Sequence, residues 1–469
     1  MRIKLLLISI LAFTFSNAQN DSLKIGQEDF LFYLLKYHPL SKQADLILKR
    51  GQAEYLSAKG GFDPKLSAQA EQKQFDGKNY YQLMGGALSL PTKYGVEFKA
   101  GYDQNLGIRL NPENSLPDQG LGYAGISIPL GNGLFYDQRR ANLAQAEIKI
   151  ESTQAQANHW LNELVFQGLK AYWDWVAAYH QVQVYQRALG LAQARFEGVK
   201  SSHFLGDLPA IDTVEAKVQV QARSLALEEA KINFQKSRLE LSSFLWFQDE
   251  EPIQVSPIAQ APEILSLSQD SQSRFNPRKG EQPNLKAHPE LLKASLQIKN
   301  LQVEERLKKE NLKPELDINY NFLGSQGVIF DAPNNYKFGI SFSYPLFLRK
   351  ARGDLEIARL KVQESEFQFN QKSWSLENKV SSVLLEIDNL ENQVELFENA
   401  VENYRRLLRA ERTKFKAGES SLFLVNSREN ALVQAEIKLI TLQKKLEIAR
   451  IKYWYAYGAL PQLTQDLIP

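Results

Sequence analysis

Five histidines and one glycine-rich segment are the parts of this 469-residue chain that could do chemistry. His159 and His180 lie on one predicted helix, about 30 Å apart by helical rise, so they cannot share a metal ion. His38 and His288 each precede a proline, which favours a structural role at a turn. Gly131-Asn132-Gly133 follows a predicted strand and is better explained as a bend than as a nucleotide-binding loop. No phosphate-binding loop, His-Glu-x-x-His or Gly-x-Ser-x-Gly motif occurs, so we expect no enzyme, no cofactor and no metal site.

The overall composition excludes several further classes. The net charge is only +2, which gives no polyanion-binding surface, and nucleic acid is therefore not an expected partner. The absence of cysteine excludes a disulfide framework and thiol chemistry. Four tryptophans lie on predicted helices, where packing is the expected role of each: Trp160, Trp173, Trp175 and Trp454.

The N-terminus has the pattern of a secretory signal peptide. Arg2 and Lys4 precede the apolar run from Leu5 to Phe15, and Ser16-Asn17-Ala18 supplies small residues for cleavage after Ala18. The run is shorter than the about twenty residues that a transmembrane helix needs, and without a cysteine we expect no lipid anchor. No later run is long and apolar enough either, so insertion into a membrane would require a closed barrel.

Two gapless blocks of similarity indicate an internal duplication. The first block relates positions 250 residues apart and includes the two His-Pro pairs, since 288 − 38 = 250. The second relates positions 212 residues apart, since 418 − 206 = 212. Its identities include Arg140/Arg352, Leu143/Leu355, Ala146/Ala358, Lys149/Lys361 and Gly206/Gly418. The first half therefore carries 250 − 212 = 38 extra residues between the blocks.

Each half predicts a short helix, strands, a very long helix, a glycine-containing break and a return helix. The predicted helices span about 27–60, 137–203 and 210–246, then 285–311, 352–416 and 421–457, from their apolar spacing. About 66 helical residues reach about 100 Å, a length typical of coiled coils and spanning rods. The predicted divisions are a signal peptide at 1–18, a first repeat at 19–246, a proline-rich and partly irregular linker at 247–284, a second repeat at 285–457 and a tail at 458–469.

Strict alternation of apolar and polar residues predicts membrane strands in the second half. After one strand at 316–322, a second runs from Tyr336 to Leu346. The side chains predicted to face lipid are Tyr336, Phe338, Ile340, Phe342 and Tyr344. The same pattern fits a half-buried soluble hairpin, but the signal peptide and the lack of another partner for this face favour lipid.

The first half predicts four strands, near 66–70, 82–90, 94–102 and 122–130. A short turn at Pro91-Thr92-Lys93 and a long loop at 105–121 fit the short periplasmic turns and long outer loops of membrane barrels.

With these features in order, the chain resembles the TolC family of outer-membrane efflux proteins over nearly all of its predicted mature length. The resemblance rests on the repeated His-Pro openings, Pro129-Leu130 and Pro345-Leu346 at strand ends, and a tip pattern Gly-x5-Asp-x3-Ala. It implies an α+β membrane channel: a homotrimer whose strands close one barrel in outer-membrane lipid, continued by a coiled-coil helical tunnel through the periplasm. It also implies two further partners, a periplasmic adaptor (membrane fusion) protein and an inner-membrane transporter.

The resemblance assigns adaptor contacts to the two tips, with expected contact residues Gly206, Asp207, Leu208, Pro209, Gly418, Glu419, Ser420 and Leu422. Asp212 and Glu215 are candidate acids at the tunnel mouth, although acids also favour the first turn of any helix. The second tip departs from the family pattern, since Leu424 and Arg428 stand where an acid and an alanine are expected. The family has two strands per repeat, whereas the first half of this chain predicts four. The barrel could therefore receive four or six strands from each subunit.

The sequence therefore predicts a passive outer-membrane conduit in a multicomponent efflux or type I secretion system. The alternative is a periplasm-spanning structural or adhesive coiled-coil protein without channel activity. Neither the transported substrate nor the class of pump is encoded in any pattern that we identify.

Overall fold

The chain folds into two long helical hairpins that are joined, at one end, to a single antiparallel sheet. A computed structural model describes residues 24–277, 284–325 and 334–467, so the predicted signal peptide lies outside the described residues. In chain order the elements are α1 (Gln27–Tyr37), α2 (Pro39–Lys59), β1 (Lys65–Phe75), β2 (Lys78–Pro91), β3 (Glu97–Leu106), β4 (Leu121–Pro129), α3 (Gln138–Phe204), α4 (Ala210–Ser242), α5 (Ile264–Phe275), α6 (Pro289–Glu310), β5 (Glu315–Gly324), β6 (Tyr336–Ser343), α7 (Arg349–Lys416), α8 (Leu422–Tyr457) and α9 (Leu460–Leu463).

The same order of elements occurs in both halves. Helix α2 leads into β1 as α6 leads into β5, and β4 leads into α3 as β6 leads into α7. The long helices α3 and α7 contain 67 and 68 residues, which corresponds to about 100 Å each. The order agrees with the predicted duplication, while the division into two repeats and a linker stays an interpretation. None of the described helices is both long and apolar enough to cross a membrane.

Helix α3 lies at the centre of the helical packing. Near the sheet it packs against α2 and α6, and towards the far end it packs against α4 and α8. Helix α7 packs against α6 near the sheet and against α8 beyond it. The result is a layer of helices in which α2 and α4 form one flank and α7 forms the other.

The main apolar core lies midway along the helices. Trp173 and Trp175 of α3 are fully buried there with Leu241 at the end of α4. The predicted linker contributes to this core, because α5 packs on α8 and ends at the fully buried Phe275. The indole nitrogen of Trp454 donates a 2.8 Å hydrogen bond to the carbonyl oxygen of Phe275. The linker is therefore attached to the helices rather than being irregular throughout.

The sheet contains six described strands in the order β1-β2-β3-β4-β5-β6, all antiparallel. The four strands predicted in the first half all form, so the described chain supplies six rather than four. Asp76 and Gly77 connect β1 to β2, both with positive φ (51° and 68°). This is the geometry of a two-residue type I′ turn, for which Asp-Gly is a preferred sequence.

Several strand boundaries differ from the predicted ones, and in two places the prediction extends beyond the strand that forms. β3 begins at Glu97 rather than near Tyr94, because a turn precedes it: Thr92 N–H and Oγ1 both donate to the carbonyl oxygen of Val96, at 3.0 and 2.7 Å. β6 ends at Ser343, so Tyr344 lies one residue beyond the strand and the prediction of a strand residue there is wrong. The alternation of polar and apolar residues continues through the turn before β3 and past the end of β6. The sequence pattern alone therefore predicts strands that are too long at these two points.

The two His-Pro pairs are equivalent helix N-caps. The Nδ1 atoms of His38 and His288 accept hydrogen bonds from the N–H groups of Leu40 and Glu290, at 3.1 and 3.2 Å. The first predicted short helix is consequently divided at His38, because Pro39 starts a new helix and has no N–H to continue the old one. The predicted structural role of both histidines is confirmed.

An Nδ1 acceptor requires a neutral imidazole, and burial favours that state. Burial lowers the pKa of His38, and it lowers the pKa of His288 to about 4 from an ordinary value of 6.5. In His288 the carboxylate of Glu290 acts in the opposite direction. Each cap is therefore a neutral, buried group near neutral pH.

We predict that His288 makes the fold sensitive to acid. The imidazole of His288 binds a proton near pH 6.5 in the unfolded chain and only near pH 4 in the folded chain. The contribution of His288 to the free energy of unfolding is therefore complete above pH 6.5, and it falls by up to about 3 kcal/mol as the pH drops from 6.5 to 4. His288→Asn keeps a capping acceptor without a titrating group and should flatten this part of the pH profile. His288→Ala should lower stability at every pH, by about 1 kcal/mol. The measurement is the urea midpoint of the detergent-purified protein from pH 7 to 4.5; an unchanged slope in His288→Asn would refute the assignment.

Candidate channel surfaces: the sheet faces and the helical tips

The sheet has one apolar face that no described residue covers. Directly paired residues form a row across all six strands on this face: Leu66, Leu88, Ala100, Ala124, Phe322 and Tyr336. Tyr336, Phe338, Ile340 and Phe342, predicted to face lipid, all lie on it, and each is more than half exposed. Tyr336 stacks on Tyr320 of the neighbouring strand, with ring centroids 5.6 Å apart. Aromatic and branched side chains that are exposed or half-exposed across a sheet face are what lipid, rather than water, accommodates.

The opposite face is polar. The next row of paired residues consists of Lys65, Ser89, Lys99, Gly125, Asn321 and Lys337. The sheet therefore has one side suited to hydrocarbon and one suited to water, which is the alternation of a water-filled membrane barrel.

The two ends of the sheet carry different connections. The end that leads into α3 and α7 also carries the short connection at 92–96, and the other end carries the long loop at 107–120. Asn105 Nδ2, near the end of β3, donates a 2.8 Å hydrogen bond to the carbonyl oxygen of Asn114 in that loop. The short connection thus lies on the helical side and the long loop on the far side, as predicted.

The two hairpin tips share one backbone motif. Gly206 and Gly418 have φ of 85° and 78° and each follows the last turn of a long helix. At the first tip, Gly206 N–H donates to the carbonyl oxygen of His203 and Asp207 N–H to that of Ser202, at 3.0 and 2.9 Å. At the second, the equivalent bonds from Gly418 and Glu419 are 3.1 and 2.9 Å. Both are Schellman caps, which require the left-handed conformation that glycine adopts without strain.

Most of the predicted contact residues are accessible at these tips, but one is not. The exposed ones are Gly206, Asp207, Pro209, Gly418 and Glu419, while Leu208 and Ser420 are half-buried. Leu422 is only 3% exposed, so its prediction as an adaptor contact is wrong. It packs with Val199 of α3 and Ala216 of α4, and this small apolar cluster holds the two tips together.

A buried polar cluster lies directly behind this apolar contact. Arg195 of α3 donates a 2.6 Å hydrogen bond to Asn426 Oδ1 and another bond to Glu429, both on α8. Glu429, only 3% exposed, also accepts a 3.0 Å bond from Arg412 of α7. Arg223 of α4 is buried beside them, and burial lowers the pKa of its guanidinium against the attraction of Glu429. The cluster ties all four long helices together just above the tips.

The two candidate acids have different environments. Asp212 is in the first turn of α4 and half-buried, which is the ordinary place for an acid near a helix N-terminus. Glu215 Oε1 accepts a 3.1 Å hydrogen bond from Asn426 Nδ2, so Glu215 belongs to the polar cluster. The structure therefore brings Glu215, but not Asp212, into contact with the second hairpin. Whether either acid lines a channel mouth stays a prediction.

Comparison with known proteins agrees with this geometry. A family model described as outer membrane efflux protein matches residues 282–453, a range that begins just before α6 and ends in the last turns of α8. This part of the chain is similar to the outer membrane efflux protein family. The matched family is one of outer-membrane efflux channels rather than of enzymes. No curated protein is similar enough in sequence to match.

Solved structures extend the likeness to nearly the whole chain. The CmeC outer membrane channel of Campylobacter jejuni aligns with a TM-score of 0.66 at 12% identity, covering 95% of this chain and 90% of that one. The outer membrane protein VceC of Vibrio cholerae aligns with a TM-score of 0.63 at 15% identity, covering 92% and 96%. The MtrE outer membrane channel of Neisseria gonorrhoeae, in its open state, aligns with a TM-score of 0.63 at 13% identity, covering 95% and 93%. The chain has the fold of these channel proteins, with a six-stranded sheet joined to long helical hairpins.

The buried polar cluster is the feature that the sequence did not predict. Its signal was present, because Asn426 and Glu429 fall in the apolar seam of α8 between Leu422, Val425 and Val433. A polar residue in such a seam needs a buried partner. The partners lie more than 200 residues away in sequence for α3, and nothing in the local pattern indicates them.

We predict that removing one member of this cluster loosens the tips. Glu429→Ala leaves Arg195 and Arg412 without a buried carboxylate, which should cost about 3–5 kcal/mol locally. Amide hydrogen exchange should show loss of protection in the first turns of α8. The matched control is Glu402→Ala, which removes the exposed pairs of Glu402 with Arg406 and Arg409 and should change protection by less than about 1 kcal/mol. Equal effects of the two variants would contradict a special role for the cluster.

Proposed function

We propose that three copies of this chain assemble into a passive channel that carries efflux substrates from the periplasm through the outer membrane. The observation that carries the proposal is the two-faced sheet, apolar outside and polar inside, directly continuous with helices of about 100 Å. No reaction is part of the proposal. The substrate passes along the polar face of the sheet and the inside of the helical tunnel.

Assembly from several copies is supported by the sheet itself. Its outer strands, β1 and β6, have a strand neighbour on one side only within the described residues. Six strands on their own do not close, and open edges are not tolerated in the hydrocarbon of a membrane. When the edge strands of neighbouring subunits pair, the free backbone N–H and C=O groups of β1 and β6 gain hydrogen-bond partners.

The helical tips are the proposed contact with a periplasmic adaptor protein, which in turn couples the channel to an inner-membrane transporter. Asp207 and Glu419 support this, because they project from the two caps at the end of the molecule farthest from the sheet. The caps fix the backbone, so that the exposed side chains have a defined position. The buried cluster behind them keeps the two tips in register.

The alternative is a structural or adhesive rod without channel activity. A rod has no use for an exposed apolar face on a sheet, and in water such a face would cause aggregation. The row from Leu66 to Tyr336 therefore favours the channel.

We predict that the channel depends on which face of the sheet is changed. Purified protein should give stepwise conductance in a planar lipid bilayer. Phe338→Arg places a charge on the apolar face, at a cost of about 2–4 kcal/mol if it lies near the membrane centre, and should reduce insertion strongly. Ser341→Arg, on the polar face of the same strand, should insert normally and change only conductance or ion selectivity. Silent wild-type protein, or equal behaviour of both variants, would overturn the channel proposal.

We also predict that the tips are the site of adaptor contact. The native chain has no cysteine, so Asp207→Cys and Glu419→Cys each provide a single thiol that should cross-link to the adaptor in cells. Leu422→Cys is the matched control at the same tip, and its buried position should prevent the reaction.

Replacing the tip glycines should separate assembly from export. Gly206→Val and Gly418→Val place a branched side chain at positive φ, which should disturb both caps, abolish export and leave trimers intact. Gly190→Val, at an exposed helical glycine with equal free space, is the control and should export normally. Normal export from the tip variants would refute the assignment.

A further inference from the structure

The hairpin formed by β2 and β3 has no counterpart among the described residues of the second half. β5 follows α6 and pairs directly with β6, which leads into α7. In the first half, β1 follows α2 and β4 leads into α3, but β2 and β3 stand between them. The extra residues between the two blocks of similarity are therefore this inserted hairpin.

The inserted hairpin is part of the sheet rather than an appendage. β2 pairs with β1 from Lys65–Ser89 to Phe75–Lys78, and β3 pairs with β4 from Glu97–Ser127 to Asp103–Leu121. Both rows described above cross it without interruption: Leu88 and Ala100 continue the apolar row, and Ser89 and Lys99 continue the polar one. Its two faces thus match the membrane and water sides of the other four strands.

The two outer strands present complementary free edges. Every residue of β1 is exposed, and so is every residue of β6 except Gly339. Because the strands alternate in direction and six is an even number, β6 of one copy runs antiparallel to β1 of the next. Each unpaired N–H or C=O group left in hydrocarbon would cost several kcal/mol, so pairing these edges is strongly favoured.

The helices below the two edges are also uncovered. Helix α2 leads into β1 and exposes Leu46 and Leu56, while α7 follows β6 and exposes Leu360, Phe367 and Trp374 at seven-residue spacing. Within one chain α3 and α6 lie between α2 and α7. A second copy that pairs with the strand edge would also cover these apolar side chains.

We propose that β6 of one copy pairs with β1 of the next, and that three copies close a barrel of eighteen strands instead of twelve. The proposal rests on the trimeric channel proposed above and adds the role of the inserted hairpin. With strands about 4.8 Å apart and tilted by about 40°, eighteen strands give a backbone diameter of about 36 Å, against about 24 Å for twelve.

The glycines on the polar face near the insertion do not widen the lumen, because neighbouring side chains lie over them. Asp103 lies over Gly85, and Tyr123 lies over Gly101. The greater width of the proposed barrel comes from its number of strands.

Introduced cysteines test the pairing of β6 with β1, since the native chain has none. Ser341→Cys is combined in turn with Ser67→Cys, Gln69→Cys or Glu71→Cys, all on the polar face. Within one chain β1 and β6 are separated by four strands, or about 24 Å, so a short bismaleimide can join only different copies. At least one pair should give a ladder that ends at a covalent trimer. Ser341→Cys with Lys99→Cys is the control and should give none, because β3 is three strand spacings, or about 14 Å, from β6 both within one chain and across the proposed junction.

A second pair of variants tests whether the hairpin lies inside the barrel. Glu97 and Ser127 are directly paired on β3 and β4, so their cysteines should link within one chain. Lys65 and Ser127 are the repeat equivalents of the paired Glu315 and Ser343, and they would meet only if the hairpin were excluded. Their cysteines should not link.

The outcomes distinguish this inference from the channel itself. A conducting wild-type protein that shows the Lys65–Ser127 link, or no ladder from any β1 position, overturns the eighteen-strand barrel and leaves the channel intact. A ladder together with a silent bilayer supports the edge pairing and overturns the channel. A ladder that ends at a number of copies other than three overturns the count of eighteen.

Discussion

Helix α3 cannot bury itself, and the organisation of the molecule follows from that constraint. A helix of 67 residues has a surface far larger than any globular core could cover, so it must be packed by neighbours along its length. It obtains them from α2 and α6 near the sheet, from α1 and α9 at the middle, and from α4 and α8 towards the tip. The linker helix α5 packs on α8, and its first residue, Ile264, also packs on the apolar cluster that includes Val184 of α3, so the connection between the halves is part of this packing.

The sheet is subject to a different constraint, because the backbone N–H and C=O groups of each strand must form hydrogen bonds with a neighbouring strand. One row of apolar residues and one row of polar residues cross all six strands in register, so that the sheet separates two solvents. The helices and the sheet meet at four chain crossings, where β1 and β5 receive the chain and β4 and β6 return it. The strand edges at β1 and β6 and the helices α2 and α7 below them therefore lie on the same two flanks of the subunit, and both flanks are uncovered.

Much of this organisation could be predicted from the sequence, and the exceptions have physical causes. The long helices were predictable because Gly206 and Gly418 end them and nothing interrupts the apolar spacing before those points. The start of β3 was not, because hydrogen bonds between Thr92 and Val96 form a turn inside an alternating pattern. Leu422 was misassigned because a position beside a cap does not reveal which way its side chain points. Glu429 was overlooked because a buried ionic residue and a solvated one look alike without their distant partners.

The caps at Gly206 and Gly418 have a consequence for how such a protein can evolve. Both turns are held by main-chain hydrogen bonds and by a glycine, and no exposed side chain at the tip is needed to shape them. Asp207 and Glu419 are therefore free to be exchanged for other residues while the turn keeps its form. During evolution, the exposed residues at this end of the molecule can therefore change to suit a different periplasmic partner while the backbone of the tip stays the same.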